Sequence, residues 1–369
     1  MKDITDKSKS PVLSPVSSVQ RVGNLIALTN KLISLTIDKW AWWNGLSEEW
    51  KSLFKSEIGY TSDTDIPEEA LDRIINLTKL DLQDKKISDI SPLSKLTHLT
   101  FLDLERNDVS DISPLSKLTN LTFLDLGWSN PITDISPLSK LTNLTILIFW
   151  GNKISDFSPL SELTNLIRLD LRDTGISDIS PLSKLTNLRN LNLYINDVSD
   201  ISPLSKLTNL TELTLFGNPI SDFSPLSELT NLTYLDLTET GISDISPLSK
   251  LTNLTELILW HNQVSDFSPL SKLTHLTKLS LASNKILDIS LLSDLTNLTG
   301  LYLHYNQISE ISPLSELTNL TELILDNNQI LDISPLSKLT NLRKLDLRDN
   351  QIFDFSALSK LTNLTDLRK

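Results

Sequence analysis

Six aspartates, Asp81, Asp103, Asp125, Asp170, Asp236 and Asp346, stand at one register of a sequence period, the first three in consecutive copies. On neighbouring parallel strands such carboxylates would lie about 5 Å apart, a separation that suits acid-assisted glycoside hydrolysis. That chemistry needs one acid held neutral by burial, and an open sheet is expected to offer no pocket for it. The four histidines do not supply a site either. His98 and His275 occupy a turn register in distant copies, while His261 and His304 share a face but lie two copies apart. No histidine and carboxylate stand at metal-ligand spacing, and neither a phosphate loop nor a nucleophile elbow is present. With glycine at 9 and cysteine at 0, no catalytic residue, metal or cofactor is expected.

A second set of residues suits recognition. Phe101, Phe123, Trp128, Trp150, Tyr194, Phe216, Tyr234, Trp260, Tyr302 and Tyr305 fill ten of the forty variable registers between residues 99 and 319, against 6% aromatic residues overall. Folding alone does not demand that enrichment, and exposed aromatics usually mark an interaction surface. Trp150, Tyr194, Phe216 and Trp260 share one register and are expected to form a stripe. Ile148 and Ile258 add apolar area, His261 and His304 extend the face, and Asp103 and Asp125 offer charge to a partner's Lys or Arg.

The elements that position these residues are repeats. They begin at Leu77, Leu99, Leu121, Leu144, Leu166, Leu188, Leu210, Leu232, Leu254, Leu276, Leu298, Leu320 and Leu342, with a stub at Leu364. Every step is 22 residues except the one of 23 from Leu121 to Leu144. The template is Leu-x-x-Leu-x-Leu-x-x-Asn-x-Ile-x-Asp-Ile-Ser-Pro-Leu-Ser-x-Leu-Thr-Asn, a leucine-rich repeat signature. It resembles the internalin-like bacterial leucine-rich repeats and the similar 22-residue class of a eukaryotic phosphatase regulator. The resemblance covers about four fifths of the chain.

The implied fold class is α/β: a solenoid with a curved parallel sheet on its concave face and short helical or 3-10 turns on its convex face. In Leu257-Ile258-Leu259 the period of two sends the leucines inward and Ile258 outward. Thirteen strands at about 4.8 Å would make an arc on the order of 60 Å. Asn107, Asn152, Asn262, Asn284 and Asn350 are placed to satisfy turn backbone with their amides. Ser268-Pro269 and its copies read as a capping hydroxyl followed by a first-turn proline. Phe157, Phe223, Phe267 and Phe355 replace Ile at an inward register. The recurrent Asn-Leu-Thr triplet matches a glycosylation acceptor, but its Asn reads as part of the turn into each strand.

The third, fifth, seventh and eighth positions of each repeat are the ones the template leaves free for a partner. A longer period overlies the short one. Phe149-Trp150-Gly151-Asn152 recurs 66 residues on as Leu215-Phe216-Gly217-Asn218, as expected from duplication of three-repeat blocks.

Ahead of the array, residues 1–17 read as a disordered lead-in and 18–76 as a helical N-terminal cap, with 77–369 as thirteen full repeats plus a partial one. Val22, Leu25, Ile26, Thr29, Leu32 and Ile33 have helical spacing, Ser47-Glu48-Glu49 marks a helix start, and Pro67-Glu68-Glu69 opens another. Trp40, Trp42, Trp43 and Trp50 then read as cap core. After Leu364 no capping segment is recognised.

Net charge is −13, and residues 1–76, with 9 Lys/Arg and 11 Asp/Glu, account for only −2 of it, leaving −11 on the array. That disfavours nucleic acid and favours a basic protein patch. Neither Met1–Ser10 nor the stretch from Val16 to Ile37 reads as a secretory signal or a membrane span, and a cytoplasmic location is expected. The expected function is non-catalytic recognition of a protein partner on the concave face, with self-association as a competing use of that face. The resemblance also implies two alternatives: a regulatory or targeting subunit of an enzyme, and a surface adhesin that would need an export signal and an anchor.

Overall fold

A computed structural model describes residues 24–25, 27–28, 38–62, 65–128 and 130–369. The chain divides into two compact units, Met1–Ile74 and Ile75–Lys369. The lead-in at 1–17 and most of the helix expected from Val22 to Ile33 lie outside the described residues.

In the first unit, residues 38–44 are helical, and α1 spans Glu48–Glu57. Ser47 caps α1 by accepting from the Trp50 amide at 3.3 Å, and Glu48 and Glu49 face the positive end of the helix dipole. The second helix, α2, is Glu68–Ile75, with the Ala70 amide bonded to the Pro67 carbonyl. Trp43, Trp50 and Phe54 are buried, and the Trp50 and Phe54 rings stand 5.1 Å apart. Lys39 ties the helical segments together through Glu68 at 2.8 Å and Asp72 at 2.6 Å. Among the described residues no helix is long and apolar enough to cross a membrane.

The second unit is the repeat array. Fourteen three-residue parallel strands, from β1 (Lys79–Asp81) to β14 (Asp366–Arg368), form one sheet in which strand order equals chain order. The sequence led to thirteen strands; the stub at Leu364 supplies one more, because Asp366, Leu367 and Arg368 pair in register with Lys344, Leu345 and Asp346. Between successive strands the chain returns through a five-residue 3-10 turn such as Ser268–Lys272. Within a repeat, Leu254, Leu257, Leu259, Val264, Phe267, Leu270 and Leu273 are 0–3% exposed, so apolar burial fixes both the strand register and the turn.

The asparagine of the ninth position holds successive turns together. The Nδ2 of Asn107 donates to the Leu82 carbonyl one repeat back and to the Leu104 carbonyl of its own, while its Oδ1 accepts from the Ile87 amide. Asn152, Asn262, Asn284 and Asn350 repeat the pattern. The triplet asparagines bond backbone too: the Nδ2 of Asn120 donates to the Thr97 carbonyl at 2.8 Å.

One capping expectation is corrected. The residue before each 3-10 turn makes no side-chain cap, and the serine expected in that role is the first turn residue itself. Its amide is bonded by the aspartate two positions earlier: the Ser268 N–H donates to Asp266 at 2.8 Å, and the Ser91 N–H to Asp89 at 2.8 Å. A charged acceptor two residues back is the stronger partner for that orphan N–H. The amide and hydroxyl bonds of Ser268 hold the Asp266 carboxyl below its usual range.

Candidate functional site

Side chains at the third and fifth positions leave each strand on the face opposite the leucines, and the seventh and eighth follow in the turn. The register is strict: Phe101 sits beside Phe123, and Asp81, Asp103 and Asp125 stand one above another.

The seventh position decides how each aspartate of the fifth is accommodated. Asp170 is 2% exposed and is met by Arg172 at 2.9 Å, and Asp346 by Arg348 at 2.7 Å. Burial pushes the Asp346 carboxyl up, but the Arg348 bonds outweigh it and leave the carboxyl below its usual range. Asp236 accepts from the Thr238 hydroxyl at 2.6 Å. Asp125 has glycine, Gly127, at that place.

With no side chain at Gly127, the Trp150 ring lies directly over its backbone; an added Cβ would come 2.4 Å from Trp150 Cδ1. Asp125 is left 8% exposed and, among the described residues, accepts the Gly127 N–H alone, at 2.8 Å. Desolvation, seconded by Asp103, Glu105 and Asp170, pushes its carboxyl up to about 7. The expectation that the open sheet desolvates no acid is therefore corrected. Oxygens of Asp103, Glu105 and Asp125 lie within 4.8 Å of one another, the one grouping among the described residues compact enough to hold a metal. Backbone amides already engage Asp103 and Asp125, and clustering alone marks no metal site.

The expected aromatic stripe is broken into separate groups. Arg172, Thr238 and Ala282 interrupt the seventh position. Phe101 and Phe123 stack at 4.3 Å, with the Lys79 ammonium 4.6 Å from the Phe101 ring. Trp128 meets Trp150 edge-on at 4.5 Å, and Arg106 and Arg172 cover the two outer faces at 4.8 and 5.0 Å. Tyr194 stacks on Phe216 at 4.4 Å. Tyr234 lies between Glu212 and Glu256, and burial with those carboxylates and Asp236 pushes its phenol up to about 12. Ile148 stands between Asp125 and Asp170. Ile258, Trp260, Tyr302 and His304 surround a depression of about 350 Å³. His261 turns away from it to Glu239, at 3.1 Å, and Tyr305 stands 57% exposed.

Sequence reasoning missed the backbone of the eighth position. In every full repeat this residue has positive φ, from Asp84 at 55° to Asp349 at 53°. Glycine, asparagine and aspartate tolerate that conformation, and Gly151, Gly217, Asn327, Asp84 and Asp173 conform. Trp128, Ile195 and Tyr305 do not, and each carries a left-handed penalty of about 1–2 kcal/mol. Also missed is a second exposed apolar row: at the twelfth position, usually serine, Leu287, Leu331 and Phe353 are 64%, 53% and 90% exposed.

The pattern described as "Leucine Rich repeats (2 copies)" matches residues 75–117, 119–162 and 164–206, then overlapping pairs from 186–228 through 318–362. The crystal structure of an internalin, inlF, from Listeria monocytogenes is similar at 39% identity and a TM-score of 0.81, over 87% of this chain and 94% of that one. The chain belongs to the internalin-type leucine-rich repeat family. This internalin-type chain is also similar to a leucine-rich repeat protein of Leptospira interrogans, at 26% identity and a TM-score of 0.69, over 82% of this chain and 87% of that one. A further likeness is to the plant peptide hormone receptor RGFR1 in complex with RGF2, at 28% identity and a TM-score of 0.60, over 76% of this chain and 52% of that one. Comparison with curated proteins gives no match. Internalin-type repeats are protein-interaction modules, and their fold is a non-enzymatic scaffold.

Proposed function

We propose that the internalin-type array grips a protein partner on its strand face between the second and eleventh repeats. The observation that carries this reading is the eighth position. Trp128, Ile195 and Tyr305 are 45%, 44% and 57% exposed and hold a backbone conformation that asparagine or glycine would adopt with less strain. Bulky apolar groups retained against both strain and exposure point to a gain outside the fold. The plant receptor whose structure is a complex supports the same use of a related array. The array's charge of −11, with Asp103 and Asp125 on this face, suits a partner that presents Lys or Arg.

Ile195→Asn with Tyr305→Asn tests the reading. The double variant should melt no lower than the parent, since both substitutions relieve strain. Its capture of the partner from native-cell lysate, quantified by mass spectrometry, should fall at least about tenfold, or ~1.4 kcal/mol. Undiminished capture would remove the assignment of this face. The cytoplasmic location belongs to the same reading and suits a chain with 0 cysteines; recovery in the culture medium on fractionation would overturn it.

A further inference from the structure

Trp150 lies where the third repeat lacks a side chain. Its ring covers the backbone of Gly127, so close that an added Cβ would come 2.4 Å from Cδ1, and the neighbouring Asp125 is 8% exposed. The ring is held there by its neighbours: Trp128 meets it edge-on at 4.5 Å, and the Arg172 guanidinium stands 5.0 Å from it. Among the described residues its Nε1–H has no hydrogen-bond acceptor. The indole is therefore a cover kept in place by ring contacts, and rotation about its side-chain bonds would carry it onto the open strand face.

What the cover shields is part of a crowded group of acids. Oxygens of Asp103, Glu105 and Asp125 lie within 4.8 Å of one another. Asp103 and Glu105 come from the strand Phe101–Asp103 and the turn after it, with Asp81 beyond Asp103. On the other side the strand Ile146–Ile148 offers no ionisable group, and Asp170 lies one strand further. The nearby cations are engaged: Arg172 binds Asp170 at 2.9 Å, and Arg106 lies over Trp128 at 4.8 Å. Three carboxyls so close, one of them shielded from water, resist ionising together, and burial accordingly pushes Asp125 up to about 7. Once its proton leaves, the carboxylate needs water, and displacement of the indole admits it without unfolding a strand. We infer that Trp150 is a proton-controlled lid, closed on Gly127 while Asp125 is neutral and swung off it when Asp125 is ionised. Resting on the reading that this face takes a protein partner, the lid sets what that partner meets. On the acid side of neutrality it is the row of Arg106, Trp128, Trp150 and Arg172; on the alkaline side it is the uncovered carboxylates, which attract Lys or Arg.

The test is NMR of the full chain alone with labelled tryptophan, titrated from about pH 5 to about pH 9. The Trp150 and Trp128 indole signals, assigned through Trp150→Phe and Trp128→Phe, should move together with one midpoint near 7. The nuclear Overhauser contact between the Trp150 ring and the Gly127 α-protons should be present below that midpoint and lost above it. In Asp125→Asn the contact should persist, with both signals at their acid positions across the range. Gly127→Ala, whose methyl takes the place of the ring, should show the uncovered positions throughout. A contact that survives to about pH 9 in the parent overturns the lid, as do indole signals that stay still around neutrality. So does a parent-like titration in Asp125→Asn or Gly127→Ala. Capture by the Ile195→Asn, Tyr305→Asn variant is read separately: undiminished capture there removes the binding face and leaves the lid standing, while a lid that fails to open leaves the face standing.

Discussion

Asn196→Ala should lower stability by about 3–5 kcal/mol, a large share of what a folded chain possesses. Asn196 is 6% exposed, and its Oδ1 accepts from the Thr174, Gly175 and Ile176 amides at 3.0, 2.9 and 3.2 Å. Its Nδ2 donates to the Leu171 carbonyl at 2.8 Å and to that of Leu193 at 3.0 Å. Alanine leaves these groups buried and unpaired, and the gap is too enclosed for several waters to replace one amide. The loss should appear in the urea midpoint and as rapid hydrogen exchange at Thr174, Gly175 and Ile176. A midpoint equal to the parent's would show that the ladder is dispensable.

Asp125→Asn should stabilise the chain at neutral pH and barely change it in acid. Burial raises the folded carboxyl to about 7, above its ordinary 3.8. Between those values the folded chain holds a proton that the unfolded chain has released, so stability from this group is complete below about pH 4 and declines as pH rises to about 7. Asparagine keeps an oxygen to accept the Gly127 amide and has no charge to bury. The stability difference between variant and parent should grow from near zero at pH 4 to roughly 2 kcal/mol at pH 8, a figure reduced from the full shift because some solvent reaches the carboxyl. A difference that is flat with pH would mean that Asp125 is solvated. Comparing the two chains cancels the opposite trend of Asp111, Asp156 and Asp266, whose serine hydrogen bonds lower their carboxyls and favour the fold as pH rises.

What could be read in the sequence was whatever repeats. Leu254, Leu257, Leu259 and Asn262 have one environment in every copy, so their spacing alone gave strand, core and turn. The site was legible only as a set of positions. That Trp150 leans on Trp128 rather than joining Tyr194 depends on the absence of a side chain at Gly127, 23 residues earlier, and on the extra residue of the third repeat. Burial of Asp125 follows from that one rotamer and has no periodic signal. The left-handed eighth position did leave a trace: Gly151, Gly217, Asn327, Asp84 and Asp173 share it, and a composition biased to glycine, asparagine and aspartate at one register marks positive φ. The capping aspartate was likewise visible in the invariant spacing of Asp266 to Ser268 and its copies, once a carboxylate is weighed against a hydroxyl.

Because strand order equals chain order along all fourteen strands, the array has mechanical properties that a mixed sheet lacks. Tension applied between its ends meets the rows of interstrand hydrogen bonds one after another. Each repeat can peel away while its neighbours stay folded, and each release lengthens the chain by on the order of 75 Å, the reach of 22 extended residues. Under load, the array is expected to yield in nearly equal steps, one repeat at a time.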